Sequence, residues 1–116
     1  MNLKDTPGVP DSENSTTFHQ GMINRMGVSY FKYGPLKEGF PRNIDAIKCL
    51  KERLALYEQD GNSEWLMDVA NFAMIESMHP RHSQAHFRAT GSGESPGRAR
   101  LDGAGRHDRN DRTKNE

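Results

Sequence analysis

Glu64, Asp68 and Asn71 stand four and three residues apart in the stretch EWLMDVANFAMIE, residues 64–76. That spacing puts them on one line of an α-helix. Two carboxylates and an amide would then share a face amid Val69, Ala70, Phe72, Ala73, Met74 and Ile75. Upstream, Asp45 and Glu52 are seven apart and also share a helical face. Crowded carboxylates repel unless a cation sits among them. Hard oxygen ligands from facing helices are how Mg²⁺ or Mn²⁺ is held in helical bundles. A hairpin that brought Glu52 towards Asp68 and Glu64 would assemble such a set, with Asn71 orienting a ligand or water beside it. The same residues have plainer uses. Glu64 suits a first helical turn, Glu52 can pair with Lys48, Lys51 or Arg53, Asp68 can face solvent, and Asn71 can bond a loop carbonyl.

Other groups carry weaker signals. His79, His82 and His86 have spacings that a helix would place on one face, as a zinc site needs. However, Pro80 interrupts the helix there and no cysteine is near. Tyr30, Phe31 and Tyr33, with Lys32 and Arg25 nearby, offer a stacking platform for a base; packing into the core at helical spacing is the expected use. The arginines after residue 97 alternate with Asp102, Asp108 and Asp111, which argues against a basic arm for nucleic acid.

Three helices must position these groups. Ser15, Thr16 and Thr17 are N-cap candidates, with Thr17 and Gln20 at capping-box spacing. Phe18, Met22, Met26 and Tyr30 recur every four residues behind them. Gly34-Pro35 ends this helix, and PLKEGFPR is a loop in which Phe40 reaches the core. Asn43 is the expected cap of the second helix, with Ile44, Ile47, Leu50, Leu54 and Tyr57 as its buried stripe. Gly61 closes it, Asn62 or Ser63 caps the third, and Pro80 stops that one. The short connection makes helices two and three an antiparallel hairpin. The expected fold is therefore all-α, with helices at about 16–33, 44–59 and 64–78 in an antiparallel bundle. Residues 1–14 and 98–116 read as disordered, 15–79 as the helical core and 80–97 as an irregular extension.

The chain has 116 residues, 33% of them hydrophobic, and no net formal charge. Its mean hydropathy is −0.93. Apolar residues concentrate between Phe18 and Met78, too short a stretch for a self-sufficient core. Assembly into a homodimer or higher oligomer is the expected remedy. Zero net charge excludes a global basic field for nucleic acid. Cys49 is the single cysteine, and no signal peptide or membrane-spanning run is apparent; a cytoplasmic location is expected.

EWLMDVANFAMIE resembles the second metal-binding helix of the all-α NTP pyrophosphatases, the MazG-like superfamily. KYGPLKEGFP, residues 32–41, is similar to the KYG segment of the phage dATP/dGTP diphosphohydrolase-like branch. The order KYG, Gly-containing loop, helix, short turn, acidic helix also agrees, over about residues 17–78. The resemblance implies Mg²⁺ or Mn²⁺ held by Asp68, with Glu64 or Glu52, and cleavage of a nucleoside triphosphate between its α and β phosphates. Lys32 would meet phosphate, and Tyr33 the base or sugar. The match is partial. Trp65 stands where the second motif has an acid, the first acidic pair is missing from helix two, and Leu36-Lys37 replaces Asn-Trp. Overall the sequence also resembles small proteins of actinobacterial phages and mobile elements that share an MHPRH…AHF…ESPGR tail. The expected function is thus a nucleotide-binding or pyrophosphatase-like protein, catalytically active or not. The alternative is a small helical interaction protein that binds a host or phage protein.

Overall fold

The computed structural model describes residues 8–101 and holds three α-helices: α1 (Thr16–Tyr33), α2 (Ala46–Asp60) and α3 (Glu64–Met78). Short 3₁₀ turns occupy Asp11–Glu13, Leu36–Glu38 and Ser92–Glu94. There is no strand among the described residues. The disorder expected at the two ends falls partly on residues 1–7 and 102–116, which lie outside the described residues. The chain divides into two units, Met1–Ala85 and His86–Glu116.

Each helix of the first unit starts and stops for a local reason. The Ser15 hydroxyl accepts from the Phe18 N–H at 3.0 Å and begins α1. Gly34, at φ 84°, ends it, a backbone geometry that a Cβ disfavours. The start of α2 corrects the sequence-based expectation: the cap is Asp45, whose Oδ1 accepts from the Lys48 N–H at 3.1 Å. Asn43 lies in the preceding turn, where its N–H donates to the Gly39 carbonyl. Asp45 is thus used up as a cap and is no partner for Glu52. Gly61, left-handed at φ 77°, closes α2.

The α2–α3 connection is held by a run of side-chain acceptors. Asp60 Oδ1 accepts from the Asn62 N–H at 2.8 Å, and Asn62 Oδ1 accepts from the Glu64 N–H at 3.1 Å. The Trp65 indole N–H donates to Asp60 Oδ2 at 3.1 Å. These bonds fold α3 back along α2, and the two pack closely in antiparallel fashion. α1 crosses α3, running counter to it: Gly21 meets Met67, and Arg25 meets Asp68 and Glu64. A Cβ on Gly21 would come within 2.5 Å of the Met67 thioether.

The core is small and half polar. Among the described residues only Ala46 and Ile75 are buried apolar side chains, and they share the interior with Asp68 and Asn71. The buried face of α2 is rotated from the expected stripe. Ala46, Cys49, Leu50, Arg53, Leu56 and Tyr57 turn inward to various depths, while Ile44, Ile47 and Leu54 are more than a third exposed. The aromatic end of α1 also departs from expectation: Tyr30, Phe31 and Tyr33 are 65%, 91% and 72% exposed. No helix of the described residues is long and apolar enough to cross a membrane.

In the second unit, the described residues form one turn. Glu94 Oε1 accepts from the Gly91 N–H at 3.0 Å and from the Arg88 guanidinium at 3.2 Å, and these bonds hold its carboxyl below the usual range.

Two measurements test this account of the caps. Asp45→Ala should lower stability by about 1 kcal/mol in urea unfolding, whereas Asn43→Ala should change it by less than about 0.5 kcal/mol. The bonds from Asn62 and Trp65 hold the Asp60 carboxyl below its ordinary value. A depressed carboxylate contributes its stability at neutral pH and loses it as pH falls through the depressed value. Fluorescence of Trp65, the single tryptophan, should therefore titrate below the usual carboxylate range, and Asp60→Asn should remove that transition.

Candidate functional site

Asp68 is at the centre of the first unit, 9% exposed, and is compensated by arginines from both other helices. Arg25 of α1 donates from Nε to Oδ1 at 2.5 Å and from its terminal nitrogen to Oδ2 at 3.1 Å. This is the bidentate fork that matches a carboxylate. Arg53 of α2 donates from Nε to Oδ2 at 3.3 Å, and its guanidinium lies 5.3 Å from the centroid of the Phe72 ring. Glu64 joins from the solvent side, 2.7 Å from Arg25. The hydrogen bond to Asp68, aided by both nearby carboxylates and opposed by burial, raises the Arg25 pKa further and keeps the group charged.

One turn along α3, Asn71 is 5% exposed. Its Nδ2 donates to the Met22 carbonyl at 3.0 Å. A carbonyl only accepts, so this bond fixes which end of the amide is which. The other end, Oδ1, is buried without a hydrogen-bond partner. An unpaired buried acceptor costs about 1–3 kcal/mol.

These groups line a cavity of about 740 Å³ between the C-terminal half of α1, the 34–44 connection, α2 and α3. Its cations are Arg25, Lys32 and Arg53, and its carboxylates are Glu38 and Asp68. Phe40 and Phe72 form an apolar wall, with ring centroids 6.4 Å apart. Phe40 is only half-buried in that role. Tyr33 and Lys32 stand at the end of α1, with the Lys32 ammonium 5.2 Å from the Tyr33 ring centroid. Cys49 also lines the cavity. Burial, the largest influence, pushes its thiol up, so it stays protonated at neutral pH and serves as an apolar lining group rather than a nucleophile.

The structure brings together four of the residues singled out from sequence. Asp68, Asn71, Lys32 and Tyr33 all line the cavity. Glu64 reaches the cluster only through Arg25. Glu52 does not join: it is exposed, and Arg53, one residue on, takes the position facing Asp68. The donor set therefore does not fit Mg²⁺ or Mn²⁺ as it is arranged. Both Asp68 oxygens receive guanidinium protons, and among the described residues no three His, Cys, Asp or Glu side chains converge as a metal-holding group. Two of the three histidines make local bonds, His79 through its backbone and His82 through its ring. His79 caps α3 by donating its N–H to the Ile75 carbonyl, and His82 Nδ1 accepts from the Gln84 N–H. Glu76 Oε2 accepts from the Arg81 and His82 N–H groups just after α3.

Sequence reasoning missed Arg25 and Arg53 as the partners of Asp68. A signal was present. Arg25 falls one turn after Met22 and two after Phe18, beside Met26 on the inner side of α1, and Arg53 continues the Ala46–Cys49–Leu50 face. Comparison with family models, with curated proteins and with solved structures returned no match to this chain.

Asp68→Asn should keep the shape of the cluster but remove its charge. Each arginine is about one-third exposed, so the loss falls below the 3–5 kcal/mol of a fully buried pair, at about 2 kcal/mol by chemical denaturation. Arg25→Ala should cost a similar amount, and the double variant should cost much less than the sum because both changes break one interaction.

Proposed function

We propose that the chain binds a phosphorylated nucleoside, a nucleoside triphosphate being the best-fitting form, in the cavity between its helices. The observation that carries this reading is the cavity itself. Its size lies within the about 300–1,000 Å³ typical of small-molecule sites. Arg25, Lys32 and Arg53 line it; Asp68 and Glu64 offset the two arginines, and Lys32 is the cation offered to an anion. Phe40, Phe72 and Tyr33 supply flat apolar surface for a base.

The resemblance to the all-α NTP pyrophosphatases supports the same ligand class and the same use of Lys32 and Tyr33. The proposal differs in how phosphate is held. Lys32 meets it directly, and Arg25 and Arg53 reach it by exchanging Asp68 for the anion, rather than through a metal held by Asp68 and Glu64. Binding, rather than hydrolysis, is the activity that this arrangement favours. A second reading, a non-enzymatic helical interaction protein, draws support from the exposed Ile23, Tyr30 and Phe31 on α1.

Lys32 is exposed and its removal should leave the fold intact within about 0.5 kcal/mol. Isothermal titration of the full chain with a panel of nucleoside triphosphates should show binding that Lys32→Ala weakens about tenfold, the loss of one charge-assisted contact. Absence of binding by any member of the panel would turn the search to protein partners.

A further inference from the structure

α1 carries two kinds of surface. Its only Arg and Lys residues, Arg25 and Lys32, both point to the cavity side. The opposite side has no charged residue. Ile23 and Phe31 stand there, 63% and 91% exposed, with Tyr30 at 65% beside them and Gly27 between. Gln20 and Asn24 flank the row, and their side chains hydrogen-bond to each other at 2.9 Å. His19, one turn before Ile23, and Tyr30 are its titratable members. A surface helix of a self-sufficient domain carries its charges on the outward face. Here the polarity is reversed: charges face in and apolar groups face out.

We infer that this face of α1 is the interface with a second copy of the chain, with two α1 helices crossing antiparallel at Gly27. Three observations select a second copy as the occupant. The first is symmetry. Ile23 and Phe31 lie four residues either side of Gly27, so a two-fold axis at Gly27 sets Ile23 of one copy against Phe31 of the other, twice. The second is room at the crossing. A Cβ built on Gly27 meets nothing within 4 Å, and with no side chain there the two helix axes can approach closely. The third is area. An aromatic side chain buries about 150–250 Å², so Ile23, Tyr30 and Phe31 of two copies contribute about 800 Å². With Gln20 and Asn24 the total passes the about 1,000 Å² that a specific interface needs. An uncharged face can pair with itself without burying a charge. The pairing also adds the apolar burial that Ala46 and Ile75 alone do not provide.

Sedimentation of the full chain tests this. The wild type should run as a species of twice the 13.1 kDa chain mass. Phe31→Glu and Ile23→Glu should each shift it to the single-chain mass with the helical circular dichroism retained. A second variant reads the geometry directly. Gly27→Cys in a Cys49→Ser background should form an interchain disulfide under mild oxidation, whereas Glu58→Cys on α2 in the same background should not. If Phe31→Glu fails to fold, the cross-link decides: its presence at position 27 supports the pairing and its absence overturns it. A wild type that sediments as a single chain at its highest soluble concentration would also overturn it. So would an oligomer that Phe31→Glu leaves intact.

Discussion

One buried carboxylate holds this small fold in register. Asp68 of α3 takes guanidinium protons from α1 and from α2, and so joins all three helices. A buried ion pair is a poor source of net stability, because desolvation offsets most of the attraction. Its effect here is on geometry. Arg53 must face α3, so α2 is rotated until Ala46, Cys49 and Leu50 turn inward and Ile44, Ile47 and Leu54 are left partly exposed. Arg25 must also face α3. The outer side of α1 is then left with Ile23, Tyr30 and Phe31 and no charge.

The same arginines bound the cavity, and this ties stability to ligand chemistry. A carboxylate in a guanidinium cluster occupies the place that a phosphate oxygen would take. An incoming anion would compete with Asp68 for Arg25 and Arg53, while Lys32 at the rim meets it without competition. A divalent cation, by contrast, would have to displace both guanidinium groups before Asp68 had an oxygen to offer. The arrangement thus suits an anionic ligand better than a metal.

Much of the fold was legible because helix ends carry local chemistry. Ser15, Gly34, Gly61 and the Asn62 turn act within a few residues of themselves, so α1 and α3 read correctly from the sequence. The start of α2 was displaced because Asn43 and Asp45 are both good caps and only the tertiary turn through Gly39 selects the second. The site was half legible. Asp68 and Asn71 stood out as polar residues in an apolar helix. Arg25 and Arg53 did not, because a long cationic side chain reads as solvated unless its partner is known to be buried. The aromatic residues of α1 were placed inside by the usual rule that apolar groups are buried. That rule fails for a chain whose interior is occupied by an ion cluster.

Asp68 is neutralised by arginine; under the proposed function it would compete with the phosphate for those arginines instead of holding a metal. Binding of a nucleoside triphosphate to the wild type and to Asp68→Asn, each with and without Mg²⁺, tests it most directly. Removing one negative charge near the bound phosphates should favour the ligand by about 1 kcal/mol. Binding should need no Mg²⁺ and grow several-fold tighter in Asp68→Asn. Binding that appears only with Mg²⁺ and disappears in Asp68→Asn would contradict it and make Asp68 a metal ligand.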